Sequence, residues 1–210
     1  MEKYKNINIL YEDNHIIVVE KPVNIPSQGD KTGDIDMLTI VKKYIKEKYN
    51  KPGEVYLGLI HRLDRPVGGV MVFAKTSKAA SRLSEQVREK IFKKKYLVIA
   101  DGKFENLNGT LENYLLKNEK TNTSKVVDEN TKNAKLAKLD YEVLKYNDEI
   151  DLSLVKVNLH TGRHHQIRLQ FANIGHSICG DQKYGTRGRG KQICLWAYEL
   201  TILHPITKEE

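Results

Sequence analysis

Short stretches rich in valine, isoleucine and leucine recur along the chain, and they limit the folds that it can adopt. Many of them follow one another too closely for the helical crossover that joins parallel strands. The spacing therefore predicts a mixed but mainly antiparallel sheet. Eight stretches have the length and composition of strands: Ile7–Tyr11, Ile16–Glu20, Val55–Ile60, Val70–Ala74, Tyr96–Ala100, Leu139–Leu144, Leu152–Leu159 and Ile193–Leu200.

Three segments place apolar residues at steps of three and four, which predicts amphipathic helices. They run from Leu38 to Tyr49, from Ala80 to Ile91 and from Ile167 to Ile174. Ser77 is in position to cap the second helix, and Gly175 is in position to end the third. Helices packed on a mainly antiparallel sheet make an α+β fold.

The domain organisation follows from what the 210 residues do not contain. There is no repeat, low-complexity tract or linker rich in proline, glycine and serine. We therefore expect one domain over residues 1–210, present as a monomer. The polar segment 103–135 contains the turn signal Asn108-Gly109 and is typical of exposed hairpins or of a mobile loop.

Charge favours an anionic partner. The chain has 35 Lys and Arg against 27 Asp and Glu, a net charge of +8, and nucleic acid is the commonest partner of a basic surface. The longest aliphatic run is Ile16–Val19, whereas a membrane span needs roughly 20 apolar residues. We find no apolar core of a signal peptide, and two cysteines fit a reducing compartment. These features predict a cytoplasmic protein that does not bind membranes.

The segment His61-Arg62-Leu63-Asp64-Arg65-Pro66-Val67-Gly68-Gly69 is the first candidate for chemistry. It lies between two predicted strands, where functional loops are common. Arginines on both sides of Asp64 favour the ionised carboxylate, which suits a nucleophile or an electrostatic stabiliser. The alternative is a surface turn that carries a salt bridge.

A second dense segment, His160-Thr161-Gly162-Arg163-His164-His165-Gln166-Ile167-Arg168, leads into the third predicted helix. Backbone N–H groups at a helix start, together with arginines and imidazoles, suit a phosphate or a carboxylate. A metal site on His160, His164 and His165 is an alternative. It is disfavoured because neighbouring arginines repel a cation and no nearby Cys or acidic residue completes the ligand set. A solvated basic helix start is the third interpretation.

Lys93-Lys94-Lys95-Tyr96 lies where the second helix leads into a strand. Three consecutive lysines usually form a solvated face, but they can also form an edge that contacts phosphates. Tyr96 is, on composition alone, a packed aromatic residue at the start of a strand.

Together these segments resemble the RluA family of RNA pseudouridine synthases. The match is collinear over about residues 9 to 204, which makes it more specific than any single motif. It rests on five stretches: Ile9-Leu10-Tyr11-Glu12-Asp13-Asn14-His15 with Val19-Glu20-Lys21-Pro22, His61-Arg62-Leu63-Asp64-Arg65 with Gly69-Val70-Met71-Val72-Phe73-Ala74-Lys75, Lys94-Lys95-Tyr96-Leu97-Val98, Gly162-Arg163-His164-His165-Gln166-Ile167-Arg168, and Gly180-Asp181 with Tyr184-Gly185.

The resemblance implies a pseudouridine synthase fold and a set of site residues. Asp64 corresponds to the catalytic aspartate, Tyr96 to the active-site tyrosine and Arg168 to the arginine that pairs with the aspartate. Arg62 matches a residue that helps to displace the target base. We expect an RNA-binding surface made of Arg62, Arg65, Lys93, Lys94, Lys95, Arg163, His164 and Lys183.

The implied reaction is the isomerisation of uridine to pseudouridine in ribosomal or transfer RNA. Nothing is oxidised and no group leaves the enzyme, so we expect neither a metal nor a nucleotide cofactor. The sequence contains neither a G-x-G-x-x-G motif nor a P-loop. The alternative is a non-catalytic RNA-binding protein that retains the fold, against which the presence of Asp64, Tyr96 and Arg168 argues.

Two positions depart from the family's pattern, and one further domain is not expected. Gly68 stands where the family usually has serine, and His164 stands where it often has threonine. Many members carry an N-terminal S4 domain, whereas this chain starts almost at its catalytic motifs. We therefore expect the catalytic domain alone.

Overall fold

The computed structural model describes residues 7–185 and 190–210. Within them the chain forms ten strands and three helices, which fall into two compact units. Residues 7–93 and 199–210 belong to the first unit, and the described part of 94–198 forms the second. None of the described helices is long and apolar enough to cross a membrane. The expected single domain and monomeric state stay predictions.

The first unit is built around a buried strand. β4 pairs in antiparallel fashion with β2 and β3, and β1 pairs with β2. Val72 and Ala74 of β4 pack with Ile16 of β2 and with Leu83 of α2 in one apolar core. The elements are β1 (Asn8–Glu12), β2 (Ile16–Lys21), α1 (Met37–Lys48), β3 (Gly58–Leu59), β4 (Gly68–Ala74) and α2 (Ser77–Arg88).

The second unit contains an antiparallel sheet and one helix. Its strands follow the order β5-β9-β8-β6-β7, and each neighbouring pair is antiparallel. Leu169 of α3 packs on Leu115 and Ala137 of the sheet. The elements are β5 (Lys93–Asp101), β6 (Asn108–Asn118), β7 (Thr123–Val127), β8 (Lys135–Asn147), β9 (Leu152–Leu159), α3 (Gln166–Asn173) and β10 (Leu195–Thr201), whose last residues belong to the first unit.

The predicted α+β class with mainly antiparallel strands is confirmed, and so is the end of the third helix. Gly175 has a φ of +82° and follows the C-terminal cap residue of α3. The predicted strand Val55–Ile60 is mostly wrong, because only Gly58 and Leu59 join a ladder. Val55 and Leu57 are buried, so their apolar character reflects packing rather than strand pairing.

The two ends of α2 also differ from the prediction. The cap residue is Thr76, not Ser77, because the Thr76 hydroxyl accepts a hydrogen bond from the Ala79 N–H at 3.2 Å. The helix ends at Arg88, so Ile91 lies outside it. Lys90 adopts a left-handed φ of +62° just after the helix, which turns the chain away from the helical path.

Segment 103–135 contains two strands, so of its two interpretations the exposed hairpin is confirmed. β6 and β7 pair with each other across a turn in which the Asn118 side chain accepts the Lys120 N–H at 3.0 Å. The turn predicted at Asn108-Gly109 is wrong, since these residues begin β6. A Cβ on Gly109 would come within 2.9 Å of the Tyr141 ring, so this glycine permits a close cross-strand approach.

Candidate functional site

Asp64 lies in the first unit, on the short loop between β3 and β4, and its side chain is partly buried. The backbone there is fixed by Ser27, whose Oγ donates to the Leu63 carbonyl at 2.8 Å and accepts the Leu63 N–H at 3.0 Å. A turn follows, in which the Val67 N–H donates to the Asp64 carbonyl at 3.0 Å. The carboxylate is therefore carried by a backbone with little freedom to move.

Lys21, the last residue of β2, has a fully buried side chain. Its ammonium group donates to the carbonyls of Pro22 at 2.9 Å, Ile25 at 2.6 Å and Arg65 at 3.1 Å. Burial lowers the pKa of Lys21 to about 7; the negative charge of Asp64 opposes this shift and the positive charge of Arg65 adds to it. We predicted no role for Lys21, which the resemblance included only as part of the stretch Val19-Glu20-Lys21-Pro22.

The two arginines beside Asp64 differ in their surroundings. Arg62 is exposed, whereas Arg65 is partly buried. Arg65 forms an ion pair with Asp34, and its Nη2 donates to the Thr32 hydroxyl at 3.1 Å. A salt bridge, as in the surface-turn alternative, is therefore present, with Asp34 as an acidic partner of Arg65.

Arg168 and Asp181 form a buried ion pair in the second unit. Arg168 donates from Nε to Oδ2 at 2.8 Å and from Nη2 to Oδ1 at 2.6 Å. Burial alone would raise the pKa of Asp181. The hydrogen bonds and charge of Arg168, together with the backbone N–H groups of Lys183 and Tyr184, outweigh burial and lower it. The pairing of Arg168 with Asp64 that the resemblance implies stays a prediction.

Two glycines shape the turn that presents Asp181. Gly180 has a φ of +74°, and a Cβ there would collide with the carbonyl oxygen of Gln192. A Cβ on Gly185 would collide with the carbonyl oxygen of Asp181 itself. Between them, Tyr184 places its ring 5.4 Å from the Arg168 guanidinium. The spacing Gly180-Asp181 with Tyr184-Gly185 is thus a local device for holding Arg168.

His164 and His165 stack on each other at 3.7 Å between ring centroids. The Nδ1 atom of His165 lies 2.9 Å from the Tyr184 hydroxyl, and that of His164 lies 2.9 Å from the Ser124 hydroxyl. Burial, followed by the charge of Arg168, lowers the pKa of His165 to about 3, so this imidazole is neutral at physiological pH.

His160 is turned to a different partner, because its Nε2 lies 2.6 Å from Asp140. We expected no acidic residue near the histidines, and Asp140 corrects that expectation for His160. Within residues 7–185 and 190–210, no three His, Cys, Asp or Glu side chains are grouped as metal ligands. The three imidazoles instead each contact a protein group.

Four of the residues predicted to bind RNA form two small groups in the second unit. Lys94 approaches Gly162 closely, since a Cβ added to Gly162 would lie 3.2 Å from the Lys94 Nζ. Burial lowers the pKa of Lys94, and the neighbouring charge of Arg163 lowers it further. His164 and Lys183 both contact Asn122, through its side-chain oxygen at 3.1 Å and its carbonyl at 2.9 Å. The structure therefore brings Lys94 to Arg163 and His164 to Lys183.

Tyr96 lies within β5 rather than at its start, and only 6% of its surface is exposed. It is paired with Val157 of β9, which explains its packing. Lys93 is exposed and Lys95 is partly buried. The lysine run is therefore not a uniformly solvated face.

Comparison with known proteins decides the family. The family model for RNA pseudouridylate synthase matches residues 15–173. The chain belongs to the RNA pseudouridylate synthase family. Asp64, Tyr96 and Arg168 all fall inside the matched range. The predicted membership, and with it the enzyme class of RNA pseudouridine synthase, an isomerase, is confirmed.

Two curated relatives show the extent of the similarity within the pseudouridylate synthase family. An uncharacterised RNA pseudouridine synthase of Aquifex aeolicus is 36% identical over 97% of this chain, which covers 67% of that relative. The dual-specificity RNA pseudouridine synthase RluA of Haemophilus influenzae is 32% identical over 97% of this chain and is 90% covered.

A solved structure supports the predicted pseudouridine synthase fold. The human RNA pseudouridylate synthase domain containing 4 protein gives a TM-score of 0.78 at 24% identity. The match covers 92% of this chain and 83% of the human one. The fold prediction is therefore confirmed, while the roles of the individual site residues stay predictions.

Proposed function

We propose that this protein converts specific uridines in RNA to pseudouridine and that Asp64 is the catalytic carboxylate. The observation that carries the proposal is the setting of Asp64. Its loop is pinned through the hydrogen bonds of Ser27, and the buried ammonium group of Lys21 interacts with its charge. A carboxylate carried by a fixed backbone can be aimed at one atom of the ribose, and its ionised form is the form that can react.

The reaction needs one ionised carboxylate and no external reagent. The N1–C1′ bond of uridine breaks, uracil turns, and C5 bonds to C1′ while the C5 hydrogen is lost as a proton. Because uracil leaves as a delocalised anion, it does not need the proton that an ordinary glycosidase supplies to its leaving oxygen. Asp64 acts on the ribose, by attack at C1′ or by removing the C2′ proton.

The target must leave the helical stack before a carboxylate can reach its sugar, so the proposal includes base flipping. Arg62 is exposed, and it matches the residue that helps to displace the target base in the RluA family. The pair of Lys94 with Arg163 and the pair of His164 with Lys183 supply positive or hydrogen-bonding groups for phosphates. We propose ribosomal or transfer RNA as the substrate.

The test is release of tritium from RNA labelled at C5 of uridine, using total RNA from cells that lack the protein. We expect release by the wild type without added nucleotide, metal or reductant. Asp64→Asn should abolish release while RNA binding persists, because the side chain keeps its size. Asp148→Asn, at an exposed position, is the matched control and should remain active.

Three outcomes would contradict the proposal. Near-normal turnover by Asp64→Asn would remove Asp64 from the chemistry. Free uracil among the products would indicate a hydrolase, because uracil set free by hydrolysis retains its C5 hydrogen. Label release that stops on chelation would show that the reaction needs a metal ion, contrary to the proposal.

A further inference from the structure

The backbone is held on both sides of Asp64 by one segment, residues 21–27. On the N-terminal side, Leu63 has both its N–H and its carbonyl bonded to the Ser27 hydroxyl. On the C-terminal side, the Arg65 carbonyl accepts from Lys21 at 3.1 Å. The residues joined in this way are 36 and 44 positions apart in sequence, so the contacts are tertiary.

The Ser27 hydroxyl is well suited to fix one residue at two points. It has one hydrogen to donate and lone pairs to accept, and Leu63 uses both functions. Ser27 and Leu63 are buried, so no solvent replaces these bonds when the hydroxyl is removed. An alanine there would leave a buried N–H and a buried carbonyl of Leu63 without this partner, and the loop would shift to find others.

Lys21 fixes the other side with a different geometry. An ammonium group has three hydrogens, and three carbonyls accept them, two from the same segment and one from Arg65. The Pro22 and Ile25 carbonyls fold residues 21–27 around the charge. The Arg65 carbonyl then ties that folded segment to the Asp64 loop.

We propose that Ser27 and Lys21 are positioning residues, which clamp the backbone on either side of Asp64 and thereby aim its carboxylate at the ribose. This inference rests on the proposed function. Neither side chain needs to touch RNA, because each acts through the main chain of Leu63 or Arg65.

The main experiment compares Ser27→Ala with Ser153→Ala. Ser153 is a matched control: it is also buried, and its hydroxyl also donates to a backbone carbonyl, that of Gly102 at 2.7 Å, but that loop carries no proposed catalytic residue. Both variants should lose thermal stability. We expect Ser27→Ala to lose about ten- to a hundredfold in kcat with KM within twofold, since a small misplacement of a reacting group has effects of this size. Ser153→Ala should keep kcat within about twofold.

Ser27→Thr provides the rescue, because threonine retains the hydroxyl. It should recover kcat to within about threefold of the wild type, despite the added methyl group. Equal kcat in Ser27→Ala and the wild type would overturn the clamp. So would equal losses in Ser27→Ala and Ser153→Ala, because they would reflect general destabilisation.

Lys21→Met tests the other side of the clamp, because methionine keeps the length of the side chain and donates no hydrogen bond to the Arg65 carbonyl. We expect kcat to fall about tenfold or more with KM within twofold. A normal kcat in a folded Lys21→Met variant would contradict the role of Lys21.

Failure of the clamp is distinguishable from failure of the proposed function. If Asp64→Asn is inactive while Ser27→Ala and Lys21→Met have normal kcat, the proposed function is supported and the positioning role of Ser27 and Lys21 is contradicted. If Asp64→Asn itself remains active, the proposed function falls first.

Discussion

Arg168 and Asp181 are joined by two parallel hydrogen bonds, at 2.8 and 2.6 Å, where their side chains expose only 4% and 0% of their surface. Two charges buried so deeply depend on each other. Removal of either one leaves the other in a poorly solvating environment, which is the condition under which an ion pair has a large effect on stability.

We therefore predict that Asp181→Asn lowers the free energy of unfolding by about 3–5 kcal/mol, measured by urea denaturation. The control is Glu119→Gln, which removes the partner of Lys117 in an ion pair whose side chains are 36% and 79% exposed. That change should have little effect on the free energy of unfolding, because solvent screens exposed pairs. Equal effects of the two substitutions would show that burial does not set the strength of the Arg168 pair.

Gly180→Ala should be strongly destabilising. Its φ is positive, and the new Cβ would meet the Gln192 carbonyl, which is backbone and cannot rotate away. Gly175→Ala is the matched control, since it has a similar positive φ of +82° and open space around the Cβ. We expect a cost of about 1–2 kcal/mol for Gly175→Ala, the cost of the left-handed backbone, and at least about 2 kcal/mol more for Gly180→Ala. Thermal or urea unfolding measures both, and equal costs would contradict the predicted collision.

Much of the fold was predictable because some helices and strands have a clear signal in their own local sequence. The aliphatic run of β2 marks a buried strand, and Gly175 marks a helix end through its own backbone freedom. β6 and β7 were not located because most of their residues are exposed or half-buried and polar, so they lack an apolar pattern. β6 pairs with β7 and with β8. These pairings form only when the sheet assembles, so the sequence of each strand alone does not reveal them.

The candidate site was predictable only in part, for a related reason. Asp64 and Arg168 stand in dense motifs, but the motifs do not state which residues hold them. Ser27 is an isolated serine whose partner is Leu63, and Asp181, although it belongs to the stretch Gly180-Asp181, lies 13 positions beyond Arg168. Such contacts arise from tertiary folding and leave no periodic signal in the sequence.

The pH dependence of stability should report on Glu12, whose side chain is only 6% exposed. Burial would raise its pKa, but hydrogen bonds from Lys48, Lys75, Tyr49 and Tyr44 lower it to about 2. A carboxylate with a lowered folded-state pKa stabilises the fold above the ordinary value of 4.5 and loses that effect as pH falls towards 2.

Glu12→Gln should therefore be less stable than the wild type at pH 7. The difference should shrink by about 1–3 kcal/mol between pH 7 and pH 3, since Lys48 is half-exposed and solvent screens part of the attraction. Urea denaturation at several pH values measures it. A difference that is constant with pH would show that the Glu12 contacts do not depend on its charge.

RNA binding should depend steeply on salt, with Arg163 among the contributors. Each phosphate neutralised releases counterions, so Arg163→Gln should reduce the slope of log affinity against log salt by about 0.7–0.9. Lys103→Gln is a suitable control. Lys94, near the start of β5, lies beside Arg163, whereas Lys103 comes after the other end of that strand. Its charge is therefore outside the proposed group of phosphate contacts. Equal slopes for Arg163→Gln and the wild type would remove Arg163 from the phosphate contacts.

Tyr96→Phe distinguishes a packing role of the Tyr96 ring in β5 from a catalytic role of its hydroxyl group. Because only 6% of Tyr96 is exposed, the ring is already packed, and phenylalanine keeps that packing. Stability should therefore change by no more than about 1 kcal/mol. If the hydroxyl takes part in proton transfer, as removal of the C5 hydrogen requires of some group, turnover should fall about a hundredfold at saturating RNA.

The measurement is tritium release from C5-labelled uridine, run beside urea denaturation. Tyr114→Phe, at a half-buried position of β6, is the control and should keep its turnover. We expect a large loss of turnover only for Tyr96→Phe. Full activity of that variant would leave Tyr96 a packing residue and assign the C5 proton to another group, because the ring alone can neither accept nor donate it.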